Sequence, residues 1–387
     1  MALLNDTQME ARMDVARGAP IATVHDFTAM TSAQVLAAYE LSAFMPDRYV
    51  PQVDGSYVER EAGQAPVTNK GIVLDGAFTN YAPNGLLTGM VAGTPGAKPT
   101  HWSILNQSSI AAETAIFGVP AIEHTCMANT DAYSSQSIDL SGKTIYSYSC
   151  LLQEVSADVV LLLSGNGGTN YFGDGVTAPG LYKLENKNKG TNTLLSAGWS
   201  RTGEATYKAA GQQVVLNIPF CPNTLALSSA STTAKVADIV QREVDLTGPF
   251  AIEIIATTAP GDPGIAQQLL SLSRDATNRI GLARYTNTRL VRVASMVAGA
   301  ATTTVGTAVA NNTQTTIRLQ VEFNRCRISV DGTETETITK ARVDSYVLQT
   351  LGADYNGAGS FWGTIQFFKL LENYIATDDE LENGFAI

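Results

Sequence analysis

Short segments rich in β-branched and aromatic residues constrain the fold of this chain most strongly. They follow one another at a spacing of about 8–12 residues and are separated by turns rich in Gly, Ser and Asn. Asp331-Gly332 is a typical dipeptide for reversing a strand. The clearest segments cover residues 144–151, 212–218, 250–256, 267–272, 279–284, 290–295, 315–323 and 325–330. This spacing predicts a mainly β protein with two antiparallel β-sandwich (jelly-roll) domains, and it argues against a parallel α/β sheet.

Helical patterns are confined to the two ends of the chain. Residues 5–17 and 31–44 are rich in Ala, Met, Leu and Glu, and Thr31 or Ser32 is a candidate N-cap for the second stretch. Near the C-terminus, Thr377 to Glu380 has the spacing of a capping box. We therefore expect a partly helical N-terminal segment and a short helix near the end.

Changes in composition suggest the domain boundaries. Residues 47–70 are interrupted by proline, as in an extended linker arm, and small polar residues cover 228–235. The predicted organisation is a helical segment over 1–46, the linker arm over 47–70, a first β-domain over 71–235 and a second over 236–387.

Composition excludes several classes of partner. The 387 residues include 36 acidic and 25 basic side chains, which gives a net charge of −11. We found no cluster of Lys or Arg in the sequence, so nucleic acid and anionic membranes are not expected partners. The apolar runs are far shorter than the ~20 residues of a membrane helix, and the first residues do not resemble a signal peptide. Membrane insertion and export by a signal peptide are therefore not expected.

No motif predicts a cofactor, a metal or catalysis. The four cysteines are far apart and are expected to be buried thiols, and three histidines in different contexts do not predict a metal site. The glycine-rich loops lack nucleotide-binding spacing, and neither G-x-S-x-G nor H-E-x-x-H occurs. A glycosidase needs only two suitably spaced acids, but no pair stands out among Asp158, Asp174, Glu253, Asp275 and Asp354. The chain is therefore not predicted to be an enzyme, and no catalytic residue is assigned.

Two loops have the composition of a sugar-binding site. An aromatic ring can stack on the apolar face of a pyranose while Asn and Asp side chains hydrogen-bond to its hydroxyl groups. Polar loops of ordinary β-sandwiches have a similar composition, and Trp102 and Trp199 are expected in the core instead. The candidate residues of the first loop are Asn166, Asn170, Tyr171, Phe172 and Asp174, and those of the second are Asp354, Tyr355 and Trp362.

An ordered series of short motifs resembles tailed-phage fibre and spike proteins. The series comprises Val53-Asp54-Gly55-Ser56-Tyr57-Val58-Glu59, Ala65-Pro66, Gly71-Ile72-Val73-Leu74-Asp75-Gly76-Ala77, Thr79-Asn80, Gly89-Met90-Val91-Ala92-Gly93-Thr94-Pro95-Gly96 and Pro99-Thr100-His101-Trp102-Ser103. It is similar to the family pattern DGTYRE, NTPRFD, GLLLEGARTNLL, MVGAVAGTPG and PTNWS. The chain departs from this pattern at Tyr81-Ala82, where the family has a leucine pair.

The resemblance implies a carbohydrate-binding-module-like jelly roll over 71–235, in which Gly198-Trp199-Ser200-Arg201 resembles the family's W-x-R strand. Residues 236–387 are similar to a concanavalin-like or laminin-G-like sandwich, without recognisable calcium-binding acids.

The function implied by the resemblance is that of a fibre, spike or head-decoration protein on the surface of a phage or gene-transfer-agent-like particle. Such a protein attaches to capsid or tail proteins through its N-terminal segment, forms a homotrimer and binds host cell-surface polysaccharide. Two alternatives remain: a purely structural capsid or tail decoration, and a capsule-polysaccharide depolymerase. The absence of a β-helix repeat disfavours the depolymerase.

Overall fold

The computed structural model is mainly β, with antiparallel sheets that form β-sandwiches. The chain divides into two compact units: the first contains residues 1–42, 239–259 and 264–387, and the second contains 43–238 and 260–263. The described residues are 20–41, 48–86, 88–89, 91, 93, 96–98, 100–101, 103–104, 107–126, 132–154, 159–166, 170–201, 205–227, 233–259, 261, 264–285, 288–322, 324–338, 345–354 and 359–385.

The first unit begins with three short elements, after which the chain enters the second unit. These are β1 (Ile21–Asp26), α1 (Ser32–Ala38) and β2 (Glu40–Leu41).

The second unit consists of strands. They are β3 (Arg48–Pro51), β4 (Tyr57–Arg60), β5 (Val67–Thr68), β6 (Gly71–Leu74), β7 (Phe78–Asn80), β8 (Ser103–Ile104), β9 (Gln107–Ile116), β10 (Val119–Cys126), β11 (Ala132–Asp139), β12 (Ile145–Glu154), β13 (Val159–Gly165), β14 (Asn170–Gly175), β15 (Gly180–Asn188), β16 (Leu194–Arg201), β17 (Ala205–Leu216) and β18 (Thr233–Lys235).

The chain then returns to the first unit. Its remaining elements are β19 (Val240–Leu246), β20 (Phe250–Thr258), β21 (Gln267–Asp275), β22 (Asn278–Arg284), β23 (Leu290–Val297), β24 (Ala300–Ala308), β25 (Gln314–Val321), β26 (Arg325–Val330), β27 (Thr333–Ile338), β28 (Tyr346–Leu351), β29 (Gly363–Glu372) and α2 (Asp378–Asn383).

The second unit contains a sandwich of two antiparallel sheets. In the described part of the chain their strand orders are β15-β12-β17-β10-β9 and β14-β13-β16-β11-β8. Side chains alternate across each strand, so Tyr146 and Tyr148 of β12 both face inward and are fully buried. They join one core cluster with Ile138 of the other sheet and with Leu184.

The first unit is also a sandwich. One sheet has the order β2-β19-β28-β21-β22-β23-β24, and the other contains β27-β26-β25-β20-β29 with β1 paired to β29. Phe250 of β20 meets Tyr346 of β28 edge to face, with 5.9 Å between ring centroids, so the two sheets pack face to face. Helix α2 covers the outer face of the second sheet through Leu381, which clusters with Ala251 and Leu371.

The segment predicted as helical over 1–46 is part helix and part strand where the structure describes it. Helix α1 does form, with Thr31 as the N-cap of a capping box closed by Gln34. Residues 21–26, however, are strand β1, which pairs with β29 of the first unit. The sequence IATVHD favours this because β-branched residues suit an edge strand. Residues 1–19 and 42–46 lie outside the described residues.

The stretch predicted as a linker arm over 47–70 is assigned to the second unit. Strands β3 and β4 form a hairpin, and Tyr49 of β3 pairs with Leu225. Val50 and Val67 are buried, so apolar packing holds this stretch in place. The boundary predicted at 235 falls close to the observed exit from the unit after residue 238.

The aspartate of the GIVLDGA motif belongs to a buried charge cluster. Asp75 accepts hydrogen bonds from the N–H and Oγ1 of Thr224 at 2.9 and 2.7 Å. The carboxylate of Asp238 accepts from Arg48 at 2.9 Å, from Lys235 at 2.7 Å and from the N–H of Asp75 at 2.8 Å. Burial raises the pKa of Asp75 and lowers the pKa of Lys235. The cluster joins the beginning and the end of the second unit, and loss of one buried charge would cost about 3–5 kcal/mol.

The asparagine of the Thr79-Asn80 motif is a second buried joint. Its Nδ2 donates to the carbonyls of Gln212 and Ala226 at 3.0 and 2.9 Å. Its Oδ1 accepts from the N–H groups of Ala82 and Val214, both at 2.9 Å. All four bonds involve main-chain groups, so Asn80 fixes β7 against β17 and the segment after it.

Candidate functional site

The first predicted sugar-binding loop is shorter than the sequence suggested. Strand β14 already begins at Asn170, because the aromatic pair that follows favours a strand. Asp174 is exposed on this strand, and Asn166 is exposed at the turn before it. The side chains of Asn170 and Phe172 lie outside the described residues, as do those of Trp102 and Trp199.

Asn166 uses its side chain to hold the turn. Its Oδ1 accepts from the N–H groups of Thr193 and Leu194 at 2.9 and 3.0 Å. Its Nδ2 donates to Thr193 Oγ1 at 2.8 Å. The amide oxygen is therefore already occupied by the protein.

Tyr171 is held at both ends of its side chain. Its half-buried ring packs on the core cluster of the second unit and meets Tyr146 edge to face, with 6.3 Å between centroids. Its hydroxyl donates to the carbonyl of Asn188 at 3.0 Å. The Nζ of Lys187 lies over the ring, 5.5 Å from the centroid. This is a fixed aromatic ring with a cation beside it.

Tyr81 repeats this arrangement. Its ring is partly buried against the same core cluster, and the Nζ of Lys143 lies over it at 5.8 Å from the centroid. Sequence analysis did not select Tyr81 as a site residue. The available signal was that Tyr81 stands where the phage motif that this stretch resembles has an apolar residue.

We call Tyr81, Tyr171, Lys143 and Lys187 the tyrosine–lysine rim. Tyr81 lies beside β17, since its N–H donates to the carbonyl of Val214 at 2.8 Å. Strand β12 pairs with β17 on one side and with β15, which carries Lys187, on the other. Tyr81 therefore lies on the β17 side of β12, and Lys187 lies on its β15 side.

The groups beneath the rim are neutral. Burial raises the pKa of the Tyr146 phenol, with a further contribution from Tyr171. Tyr182 packs on the same core cluster, and its hydroxyl is hydrogen-bonded by main-chain groups. It donates to the carbonyl of Ala178 and accepts from the N–H of Thr177. The lysines therefore carry the charge of the rim.

The second predicted site is divided between a sheet face and the core. Asp354 accepts from Ser271 Oγ at 3.3 Å and pairs with Arg279, also at 3.3 Å, on the face of β21 and β22. Tyr355 lies outside the described residues. Trp362 is only 3% exposed, which is a core position and leaves no open ring for stacking. Of the described residues, only Asp354 remains a candidate for contact with a ligand.

The face around Asp354 has small side chains. Thr350, Ser271, Gly281 and Ala294 are successive cross-strand partners on β28, β21, β22 and β23. This row lies beside the Arg279–Asp354 pair and has no aromatic ring; Thr350 and Ser271 are buried, and only Gly281 and Ala294 are partly exposed.

Other kinds of site receive no support within the described part of the chain. It contains no group of three or more His, Cys, Asp or Glu residues that could hold a metal ion. None of its helices is long and apolar enough to cross a membrane. Cys150, Cys221 and Cys326 are buried free thiols, as expected, and burial raises the pKa of each to about 12. They are poor nucleophiles at neutral pH.

No protein-family model and no curated protein matches this chain. Solved structures that are similar to part of it include a CBM40 of the Ruminococcus gnavus IT-sialidase bound to alpha2,3 sialyllactose, with 18% identity over 35% of this chain and 82% of that chain and a TM-score of 0.29. Another is domain 4 of AbnA, a GH43 extracellular arabinanase from Geobacillus stearothermophilus, in complex with arabinotriose, with 12% identity over 39% and 75% and a TM-score of 0.32. Chicken galectin 2 matches with 8% identity over 32% and 98% and a TM-score of 0.24. Such low TM-scores do not define the fold or the ligand of this chain.

Proposed function

We propose that this protein binds host cell-surface polysaccharide without cleaving it, as a fibre, spike or decoration protein on a virion or a related particle. The observation that carries the glycan-binding part is Tyr171. Its ring is anchored through the core and through its hydroxyl, at a position that the sequence already marked as a candidate for stacking on a sugar.

The chemistry of the rim suits a sugar. An aromatic ring held in place loses little conformational entropy when a pyranose packs on it. The lysine side chain over the ring is long and flexible, so it can move aside and donate hydrogen bonds to the ligand. Two such rings, both packed on the same core cluster, would give a polysaccharide two stacking positions.

The virion part of the proposal rests on the ordered motifs shared with phage fibre and spike proteins. Asp75 and Asn80 of these motifs are internal joints of the second unit, so the motifs describe a scaffold and leave the ligand to other residues. In this proposal the protein lies on the particle surface, contacts capsid or tail proteins through residues in 1–46 and forms a homotrimer. Several copies would raise the avidity of a weak single site.

Binding of the full-length protein to a glycan array tests the proposal. The key variant is Tyr171→Leu, which keeps apolar volume but removes the flat ring, and we expect at least a tenfold loss of affinity, ~1.4 kcal/mol. Tyr285→Leu is a matched control, because Tyr285 also lies under a cation, Arg292, 4.4 Å from its centroid, but belongs to the first unit. It should bind like the parent protein.

Three other results would contradict the proposal. A protein that binds no glycan but copurifies with particles would be a structural decoration. Release of shorter sugars from a capsule would indicate a depolymerase. Equal binding by Tyr171→Leu and the parent would remove the site.

A further inference from the structure

We propose that the tyrosine–lysine rim selects an acidic polysaccharide, one whose sugars carry carboxylate, sulfate or phosphate groups. This inference rests on the proposed function and names the class of ligand for the same site. It depends on where the lysines lie and on the lack of acids beside them.

Three lysines meet at the start of strand β12. Lys143 precedes this strand and reaches the ring of Tyr81, and Lys187 pairs with Tyr146 across from it and reaches the ring of Tyr171. Lys189 follows β15, and its N–H donates to the carbonyl of Thr144 at 3.0 Å. Lys187 and Lys189 are close in sequence, and the fold brings the distant Lys143 beside them.

The loop before β12 brings the side chain of Lys189 to the carbonyl that the backbone of Lys143 also contacts. The backbone N–H of Lys143 donates to the carbonyl of Leu140 at 3.1 Å. The Nζ of Lys189 donates to the same carbonyl at 3.4 Å. Lys143 and Lys189 thus donate hydrogen bonds to the same carbonyl, one through its backbone and one through its side chain.

The lysines of this group have no close carboxylate. Among the described side chains, no acid lies within 4.0 Å of the Nζ of Lys143, Lys187 or Lys189. Lys189 does influence Asp139. The pKa of Asp139 is lowered mainly by hydrogen bonds from the N–H and Oγ of Ser141, each at 2.8 Å, and further by the charge of Lys189. Lys183, earlier on β15, is different because it pairs with Glu185 at 3.7 Å.

The acid nearest to Tyr171 along β14 does not neutralise these lysines. Asp174 is exposed on β14, next to Tyr171 in the hairpin, and forms no ion pair with the described residues. The whole chain carries a net charge of −11, so most of its surface repels a polyanion. Lysines without an ion pair to a described acid form a locally positive surface on this otherwise acidic protein.

The rim offers an acidic sugar two complementary contacts. The apolar face of the sugar stacks on the tyrosine ring, and the lysine ammonium group beside the ring donates a charge-assisted hydrogen bond to the acidic group of the sugar. A neutral sugar would gain the first contact and leave the ammonium group with hydroxyl groups only. The second contact is screened by salt, and the first is not.

The test compares charged and neutral forms of the same polymer. Full-length protein is measured by biolayer interferometry against polygalacturonate and its methyl ester, and against dextran sulfate and dextran, at 0.05, 0.15 and 0.5 M NaCl. We expect each acidic polymer to bind at least tenfold more tightly than its neutral partner at 0.15 M salt. This preference should shrink at 0.5 M.

Two variants assign the effect to the rim. Lys143→Met/Lys187→Met keeps the length of both side chains and should abolish the preference for the acidic polymers. Lys98→Met/Lys208→Met removes the same charge from the same unit at an exposed lysine and at one paired with Glu123, and should keep the preference.

The outcomes separate the two proposals. Equal binding of acidic and neutral polymers overturns the inference and leaves glycan binding in place. An equal loss of preference in both double variants means that the response follows net charge, which also overturns the inference. If none of the polymers and no array glycan binds, the proposed function fails, and the inference fails with it.

Discussion

Replacing Asn80 with alanine should destabilise the second unit strongly. Four hydrogen bonds to main-chain groups would be lost, leaving two buried carbonyls and two buried N–H groups without their partner. At about 1 kcal/mol for each bond, near the lower end of the range for an unsatisfied buried group, the loss is about 4 kcal/mol. For a unit of about 200 residues this corresponds to a decrease of roughly 8–16 °C in Tm.

Differential scanning calorimetry of the full-length protein measures this change in the transition of the second unit. Asn69→Ala is the matched control, because Asn69 is exposed and its Oδ1 accepts one hydrogen bond, from the N–H of Val53 at 2.8 Å. It should cost less than 1 kcal/mol. If Asn80→Ala lowers Tm by no more than this control, the buried amide is not the joint that we describe.

Two further predictions concern the first unit. Deleting residues 1–41 should lower its Tm by 10 °C or more. This deletion removes β1 from the edge of β29, and it removes the buried side chains of Phe27, Val35 and Tyr39, which contribute about 1.5–3 kcal/mol each. Deletion of residues 1–19 is the control, and an equal Tm for both truncations would contradict the prediction. Burial lowers the pKa of His25 below 6.5, and the charge of Arg242 lowers it further. As pH falls, the unfolded chain therefore protonates His25 at a higher pH than the folded unit does. The stability of the first unit should decrease as pH falls from about 6.5 toward the pKa of folded His25. His25→Gln should flatten the dependence of Tm on pH in this window, and an unchanged slope would refute the assignment.

Local signals in the sequence were sufficient for many elements. The strand predicted over 325–330 is β26, and the turn predicted at Asp331-Gly332 has φ of 49° and 83°, which suits a tight hairpin. The capping box predicted from Thr377 to Glu380 formed, and of the two N-cap candidates for the first helix Thr31 takes that position. These features depend on residues a few positions apart, which a single sequence displays directly.

Elements whose partners are distant in sequence were missed. Strand β1 pairs with β29, more than 300 positions away, and its short pattern does not identify that partner. The prolines around 51–66 suggested a linker, although Val50 and Val67 pack inside the second unit. Local composition describes how a segment bends but not what it packs against.

The candidate site was predictable only in part. Tyr171 was selected from the composition of its loop, and the structure anchors it at the surface. Tyr81 and Lys143 come from distant parts of the chain and join the rim only through the pairing around β12 and β17. Trp362 followed the same sequence rule as Tyr171 but lies in the core, because composition does not report the depth of a side chain.

The second unit is, for the most part, an insertion in the first, with consequences for how the protein can change. The chain leaves the first unit after β2 and re-enters it at β19, and these two strands are direct partners, with Leu41 opposite Val240 and Glu40 opposite Gln241. Cross-strand partners are only about 4.5–5.5 Å apart, so the entry and exit points are held together by the host sandwich. A different domain with neighbouring termini could be inserted between the same two strands. Recombination at these two junctions would exchange one inserted unit for another in a single step.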